Sequence, residues 1–299
     1  MLFAGCAPKN YDYISSDSSI STSKRIKLHI YPQDSYYCGP SSLATVFKKE
    51  QIVFNYDKLS QHTFTPGLKG TLQPQMKAAA RKYGLIPYET GKSLKDILLE
   101  LSNDTSVIVL FNLGLKTVPV WHYSVVTGYD KAEKKVFLSA PNGSETWMSF
   151  EEFETFFERG GSWAISLIKP PKLPKTSSEN NIIAAILDMY EINQKEVAKQ
   201  AAVSHLSNNS ASYQTMVLLA NIYLKEDDYR SAAFMYNEIL KIKPKEPSIL
   251  NNLATALLKQ KKYDEAKKYA IEAVKIGGKF AQNYQNTLDE IEKAIKEQK

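Results

Sequence analysis

The chain has 299 residues, enough for two ordinary domains, and 43% of them are hydrophobic, as expected of a protein with packed cores. Its formal charge of +6 results from 38 basic and 32 acidic residues, and much of the excess lies in lysine-rich stretches of the last third. Such stretches are typical of solvated helix faces, so no nucleic-acid partner is expected. No stretch reaches the roughly 18 apolar residues that a membrane-spanning helix needs.

The first ten residues read MLFAGCAPKN, and the small residues directly before Cys6 resemble a bacterial lipobox, whose cysteine is acylated after the signal peptide is cut. A phenylalanine stands where the lipobox usually has leucine. Residues 10–24 are polar and rich in serine, which is typical of a flexible tether. The resemblance implies that residues 1–24 are a lipobox remnant and tether, and that lipid on Cys6 anchors the protein in the cell envelope. Ala7 after that cysteine implies the outer membrane, with the protein facing the periplasm.

The lipid prediction leaves Cys38 without an intrachain partner, because the chain contains only two cysteines. A Cys6–Cys38 disulfide is the alternative, although a flexible tether would give such a bond little to hold together.

An α+β domain is predicted over residues 25–170, with helices mostly before strands. Ser93 and Ser149 are expected to cap two helices, and Gly84 and Gly160 to end two. The predicted helices are 39–50, 72–84, 93–103 and 149–161, and the predicted strands are 106–111, 122–129, 135–140 and 163–168. The phenylalanines of FEEFETFF, together with Trp147 and Trp163, are predicted to be core residues.

A proline-rich linker is predicted at residues 171–180, followed by an all-α region over 181–299. A shift of 34 residues superposes Leu219-Ala220 on Leu253-Ala254 and Ala232 on Ala266. This period resembles the tetratricopeptide repeat, with residues 179–212 as a degenerate first copy and 280–298 as a capping helix. Such a solenoid either binds a peptide or protein partner in its groove or supports the neighbouring domain.

Cys38 stands directly before Gly39-Pro40 and a helix-patterned run. Proline suits the first turn of a helix, so the thiol is expected at a helix amino terminus, where free N–H groups favour the thiolate. This placement predicts a nucleophile, whereas a structural cysteine would more often lie within the apolar stripe. Among the four histidines, His122 opens a predicted strand, which is a rigid element that can present a general base.

The segments QDSYYCGPSSLA and HYSVVTGYD together resemble the bacteriocin-processing, double-glycine type of papain-like cysteine peptidase domain. The segments FTPGLKGTLQPQMKAAARKYGL and SVIVLFNLGL resemble a subgroup of lipoprotein peptidases that carry tetratricopeptide repeats. The resemblance implies a papain-like α+β peptidase domain followed by a tetratricopeptide-repeat solenoid. It also implies Cys38 as nucleophile, His122 as general base and Gln33 as oxyanion donor.

One position departs from the family pattern. The family places an Asp-Pro pair after the histidine strand, with the aspartate orienting the imidazole, but here Ala140 precedes Pro141. Asn142 or Ser139 could substitute, since papain-like sites can orient histidine with an amide. Asp130 is also near in sequence but is expected to cap the turn that follows it.

The leading prediction is therefore a lipid-anchored cysteine peptidase that cleaves a peptide or protein by thiolate acyl transfer, with repeats that recruit a substrate or partner. A non-catalytic peptide-binding scaffold and a cysteine-dependent acyltransferase or amidase are the alternatives. No cofactor or metal is expected, because the two cysteines are too few for a site and His122 has no liganding neighbour in sequence.

Overall fold

The structure, a computed structural model, describes residues 10–33 and 36–297. The chain divides into two compact units, Met1–Val197 and Ala198–Lys299, which are described separately. The predicted lipidation site, Cys6, lies outside the described residues. The prediction of a flexible tether over residues 10–24 needs a correction, because Tyr11, Ile14 and Ile20 are buried in a hydrophobic core of the first unit. None of the helices within the described part of the chain combines the length and apolar character of a membrane span.

The first unit is built on one antiparallel sheet. Its strands are β1 Ser23–Arg25, β2 Ile86–Glu89, β3 Val107–Asn112, β4 Trp121–Asp130, β5 Lys135–Ser139, β6 Glu145–Ser149 and β7 Ala164–Ile168. The order is β2-β7-β3-β4-β5-β6, and β1 pairs with the end of β4. The four predicted strands are all present. The other three, β1, β2 and β6, lie outside the predicted set, and two of them form the edges of the sheet.

Helices cover both faces of this sheet. The helices of the first unit are α1 Asp12–Ser15, α2 Cys38–Lys49, α3 Tyr56–Thr63, α4 Gln73–Lys82, α5 Leu94–Ser102, α6 Phe150–Arg159 and α7 Glu179–Glu191, with a 3₁₀ turn at Pro66–Leu68. Side chains of α2, α3 and α4 share a core with Ile108 and Leu110 of β3. Side chains of α5 and α6 share a second core with Val107, Val109 and Phe111. The alternation along β3 therefore separates two hydrophobic layers.

The predicted helix caps are confirmed at the amino ends of α5 and α6. Ser93 accepts from the N–H of Asp96, and Ser149 accepts from the N–H of Glu152, each in a capping box. The prediction that Gly160 ends α6 is confirmed, since the helix stops at Arg159 with Gly160 as its C-cap, while the positive φ of 81° falls on Gly161. Gly160 is required for a different reason, since a Cβ there would lie 2.2 Å from the carbonyl oxygen of Leu110.

The aromatic core prediction is confirmed for Phe150, Phe153 and Phe157, which are buried. It is wrong for Trp147, whose side chain is 53% exposed, with the ammonium of Lys135 over its ring. Trp147 is exposed because β6 is an edge strand and the side chain points from it to solvent.

A buried carboxylate holds part of the predicted linker against α5. Glu100 is fully buried, and its Oε1 accepts from the backbone N–H groups of Lys175 and Thr176 and from the Thr176 hydroxyl, each at 2.8 Å. Burial raises the pKa of Glu100, and the bonds from Thr176 and Lys175 oppose that shift. This contact fixes residues 175–176 on the first unit. The predicted bounds of the linker stay predictions.

The remaining helices are α8 Lys195–Asn208, α9 Tyr213–Lys225, α10 Tyr229–Ile242, α11 Pro247–Lys259, α12 Tyr263–Ile276 and α13 Ala281–Lys296. Each bound of α11 and α12 lies 34 residues after the matching bound of α9 and α10, and α7 and α8 precede those by the same interval. Small buried residues recur at equivalent positions, as at Ala232 and Ala266. The predicted repeat period is therefore the period of the helices themselves.

Candidate active site

Cys38 is the first residue of α2, as the Gly39-Pro40 pair predicts. The start of this helix is packed tightly against Thr71. A Cβ on Gly39 would lie 2.6 Å from the Cβ of Thr71, which is closer than carbon atoms approach in proteins. Glycine at this position lets α2 begin close to its neighbour, and so it fixes where the thiol stands.

The register of β3 and β4 explains why an N–H group is free beside this thiol. Tyr123 on β4 lies opposite Leu110 on β3. The N–H of Leu110 donates to the carbonyl of Trp163, the residue before β7, and not to Tyr123. In an antiparallel ladder such a pair does not exchange hydrogen bonds, so the N–H of Tyr123 also points away from β3. On that side β5 has already ended at Ser139.

The sulfur of Cys38 occupies this gap. The backbone N–H groups of Tyr123, Gly39 and Cys38 are directed at it, and each favours the thiolate. The Tyr123 side chain packs in the same core as the cysteine. Burial, with a smaller contribution from the charge on Cys38, raises the pKa of the Tyr123 hydroxyl. The thiol of Cys38, the predicted nucleophile, thus lies at the open edge of β4, beside the residue that follows His122.

Burial also raises the pKa of the Cys38 thiol, and this outweighs the three N–H groups. The direction is opposite to the one that a helix terminus alone predicts, because the apolar core around the sulfur disfavours its charge. Burial lowers the pKa of His122 in turn. Both shifts favour the neutral thiol beside the neutral imidazole over a thiolate–imidazolium pair.

His122 is the second residue of β4 and pairs with Phe111. Because Tyr123 pairs with Leu110, the side chains of His122 and Tyr123 leave the strand on opposite faces. The sulfur faces the edge of the strand, between those two faces. Among the described residues, no hydrogen bond joins the ring of His122 to another group, and burial is the sole resolved cause of its pKa shift.

Gln33 lies between the first turn of α2 and the segment that follows β5. The carbonyl of Pro32 accepts from the Ser41 hydroxyl at 3.0 Å, and the N–H of Gln33 donates to the carbonyl of Pro141 at 2.7 Å. The Oε1 of Gln33 is buried and has no hydrogen-bond partner among the described residues. The backbone at Gln33 is thus held in place, and the side-chain amide keeps unused hydrogen-bonding capacity.

The candidates for orienting the imidazole have other partners. The Oδ1 of Asn142 accepts from the N–H and hydroxyl of Ser144, which closes a turn. Ser139 binds the N–H of Val125 through its hydroxyl oxygen. Asp130 caps its turn by accepting from the N–H of Glu133, as predicted. Ala140 supplies no polar side chain.

Sequence reasoning missed two contributors to this site. The N–H of Tyr123 carries no sequence signal, since every non-proline residue has one and only the register frees it. Helix α3 was also missed, although Asn55 caps it by accepting from the N–H of Lys58. His62 therefore lies in the last turn of a helix rather than in a loop. In the described ranges no cluster of three or more histidine, cysteine, aspartate or glutamate side chains could hold a metal ion.

Residues 25–165 match the Peptidase_C39 like family, and residues 210–291 match the tetratricopeptide repeat. The α+β domain of the amino-terminal unit therefore resembles a C39 peptidase domain. The α+β domain with a C39-like fold is thus followed by helices in tetratricopeptide-like repeats, which confirms the predicted fold class. The pairing of these two domains supports a peptidase-like or peptide-binding role.

Several solved structures are similar to parts of the chain. A putative C39-like peptidase from Bacillus anthracis is 20% identical, covers 51% of this chain and 98% of its own, and has a TM-score of 0.39. A double glycine motif protease from an AMS/PCAT transporter, in complex with the leader peptide, is 21% identical over 48% of this chain and 92% of its own, with a TM-score of 0.35. PcrH from Pseudomonas aeruginosa is 15% identical over 38% of this chain and 93% of its own, with a TM-score of 0.36. No curated protein matches the chain.

Proposed function

We propose that the C39-like domain is a cysteine peptidase that cleaves a peptide or protein substrate through an acyl-enzyme. The observation that carries this proposal is the position of the Cys38 sulfur at the edge of β4, against the N–H of Tyr123 and one residue from His122. A nucleophile and a base on adjacent rigid elements are the minimum that thiol acyl transfer requires.

The neutral resting pair determines how the reaction begins. His122 takes the proton of Cys38 as the sulfur bonds to the scissile carbonyl carbon, and the carbonyl oxygen becomes an oxyanion. The side-chain amide of Gln33 and the N–H of Cys38 donate to that oxygen. When the C–N bond breaks, the imidazolium gives its proton to the leaving amine. Water then attacks the thioester, with His122 again accepting a proton, and frees the acid and the thiol.

A chromogenic peptidyl ester separates the steps. Because p-nitrophenolate is a good leaving group, a peptidyl p-nitrophenyl ester acylates a positioned cysteine with little help from a base. The peptidase proposal expects a burst equal to the protein concentration, followed by steady turnover. The burst disappears in Cys38→Ala, and the turnover falls by about 10²–10⁴-fold in His122→Ala. A rate in the wild-type protein that equals that of Cys38→Ala contradicts the proposal.

The second candidate is a peptide-binding scaffold that no longer completes the reaction. It is favoured by Ala140, which stands at the aspartate position of the family pattern, and by the unpartnered ring of His122. This candidate expects the burst without turnover. A third outcome, turnover that accelerates when glycinamide is added, indicates transfer to amines and supports an acyltransferase.

We further propose that the repeats bind a protein partner or substrate, and that lipid on Cys6 holds the protein at the cell envelope, on the periplasmic face of the outer membrane. The lipid proposal rests on the lipobox-like residues directly before Cys6. Mass spectrometry of the peptide that contains Cys6, taken from protein recovered from the membranes of the producing cell, tests it directly. A diacylglyceryl thioether is expected, and an unmodified or disulfide-bonded cysteine contradicts the anchor.

A further inference from the structure

A cavity of about 620 Å³ opens beside the residues that precede the proposed nucleophile. Pro32 and Tyr37 form one wall, and they directly precede Gln33 and Cys38 in the sequence. The other lining residues are Tyr56, Asp57, Ser60 and Gln61 of α3. Because these four residues follow the helical spacing of i, i+1, i+4 and i+5, one face of α3 lines the cavity.

The aromatic walls of this cavity are fixed by neighbouring groups. The ring of Tyr37 stacks on Phe64 with 4.9 Å between centroids, and that of Tyr56 stacks on Tyr31 at 5.7 Å. The hydroxyl of Tyr56 is also bonded to that of Ser41 at 2.7 Å. The walls are therefore in place before a ligand arrives, which lowers the entropic cost of binding.

Two polar groups in the cavity have unused bonding capacity. Ser60 is 8% exposed, and its hydroxyl is buried with no hydrogen-bond partner among the described residues. The carboxylate of Asp57 makes no ion pair or side-chain hydrogen bond within the described part of the chain. A buried hydroxyl without a partner costs free energy, so a ligand that bonds to it gains affinity.

The chemistry of the lining is that of a site for a cationic side chain. Among the described residues that line it, the single charged one is the acid Asp57, the hydroxyl of Ser60 can accept a hydrogen bond, and two tyrosine side chains contribute aromatic surface. Lysine and arginine side chains combine an apolar stem with a charged head that donates hydrogen bonds. An acidic side chain would meet Asp57, and an aliphatic one would leave the hydroxyl of Ser60 unpaired.

We propose that this cavity is a specificity subsite for a lysine or arginine side chain of a peptide bound at Cys38. The inference rests on the proposed function, which places a peptide at Cys38. It adds the class of side chain that the site selects. Asp57 pairs with the cationic head, Ser60 accepts a hydrogen bond from it, and Tyr37 and Tyr56 contact the stem.

The first test measures the rate at which peptidyl acyloxymethyl ketones alkylate Cys38, followed by intact mass. The probes are tripeptides that carry lysine, norleucine or glutamate at one position at a time. Lysine is expected to react about fivefold faster than norleucine at one position, as a partly exposed ion pair allows. Asp57→Asn should bring the two rates close to each other. Equal rates for lysine and norleucine at every position overturn the subsite, as does a lysine preference that survives Asp57→Asn.

The chain offers a matched control for the charge change. Asp264 is the second residue of α12, as Asp57 is of α3, and each follows a tyrosine at the start of its helix. Asp264→Asn removes the same charge from the same helical position. A general effect of net charge or of the helix terminus would be equal in the two variants. If the preference depends on Asp57 itself, Asp264→Asn should leave it intact.

A binding measurement keeps the subsite and the proposed reaction separate. Fluorescently labelled tripeptide amides of the same sequences are titrated into Cys38→Ala and into Cys38→Ala/Ser60→Ala, and anisotropy gives the Kd. The lysine peptide should bind more tightly than the norleucine peptide in the first variant, and the difference should shrink in the second. If no probe alkylates Cys38 but this preference is found, the peptidase proposal fails and the subsite stands. If Cys38 reacts without any charge preference and the peptides bind equally, the subsite fails and the peptidase stands.

Discussion

The sulfur of Cys38 faces the backbone N–H of Tyr123, the residue that follows His122 on β4. This relationship places the proposed nucleophile beside the strand that carries the proposed base. It exists because β5 ends at Ser139 and leaves the edge of β4 open there. Burial of both groups determines the direction of their pKa shifts, and the first prediction follows from it.

The neutral thiol should dominate in the free protein near pH 7. Because burial raises the pKa of Cys38, the rate of alkylation by iodoacetamide should rise with a midpoint above that of a peptide thiol, which is about 8.5. His122→Ala should leave this profile almost unchanged, since a neutral imidazole contributes little to thiolate formation. The measurement is the alkylation rate from pH 5 to 10 by intact mass. A plateau well below pH 8 that vanishes in His122→Ala would show a preformed ion pair instead.

Ala140→Asp should raise the pKa of His122. Continuing the β4–β5 register beyond Val126↔Leu138 places residue 140 opposite Ser124, on the face of the strand that also carries His122. A carboxylate there favours the imidazolium, so the pKa rises from the value that burial now lowers. NMR titration of the imidazole measures the shift. Turnover of a peptidyl ester should increase by at least about tenfold, because the ring becomes oriented.

The isosteric variant Ala140→Asn is the control for that experiment. An amide can orient the ring but adds no charge, so it should raise turnover less and leave the pKa of His122 where it is. An unchanged pKa in Ala140→Asp would mean that residue 140 does not reach the imidazole.

Gly39→Ala should destabilise the first unit by about 1–3 kcal/mol and slow acylation of Cys38. The added methyl group would lie 2.6 Å from Thr71, so either the start of α2 or the Thr71 segment has to move. Urea unfolding followed by fluorescence measures the loss. Gly67→Ala is the control, because nothing lies within 4 Å of a Cβ there, and it should change stability by less than about 0.5 kcal/mol. Equal stability of the two variants would exclude a tight contact at Gly39.

Glu100 should make the protein more stable at mildly acidic pH than at neutral pH. Its pKa in the folded state is raised, so protonation of Glu100 stabilises the folded protein. This contribution is fully present below the unfolded pKa of about 4.3 and is lost as the pH rises through the folded pKa. Its Oε2 is buried without a partner in the described structure and can carry the proton. Glu100→Gln should remove this pH dependence while keeping an oxygen for the bonds from Lys175 and Thr176.

Glu100→Ala separates charge from hydrogen bonding at the same place. It leaves the N–H groups of Lys175 and Thr176 without their acceptor and should cost about 1–3 kcal/mol of unfolding free energy at pH 7. Urea unfolding of the three proteins at pH 5.5 and pH 7 provides the comparison. An identical pH dependence in the wild type and in Glu100→Gln would assign the titration to another group.

Much of the fold was predictable because local signals were strong. The four predicted strands are rich in β-branched and aromatic residues, and the 34-residue period fixes the helices of the second unit. The missed elements lack such signals. Strand β2 contains Pro87, which is tolerated because β2 is an edge strand, and α3 has eight mostly polar residues. Trp147 was predicted as core because it was grouped with the phenylalanines of the helix that follows, but its side chain is exposed on the edge strand β6.

The residues of the candidate site were predictable, whereas their ionisation was not. The Gly39-Pro40 pair located Cys38 at a helix start, and the family pattern selected His122 and Gln33. The direction of the pKa shift at Cys38 depends on how much apolar core surrounds the sulfur, which a helix boundary does not reveal. The open edge of β4 depends on where β5 stops, and the cavity depends on α3, so both required the three-dimensional structure.

The bond from the N–H of Gln33 to the carbonyl of Pro141 has a consequence for the growing chain. The glutamine precedes the nucleophile by five positions, yet its support is made more than a hundred residues later. A ribosome-bound or partly exported chain that ends before residue 141 contains Cys38 and His122. It lacks the carbonyl of Pro141, which accepts from the backbone N–H of Gln33, the proposed oxyanion donor. In the proposed peptidase, acyl transfer would therefore begin only after the segment that contains Pro141 has been made and has folded.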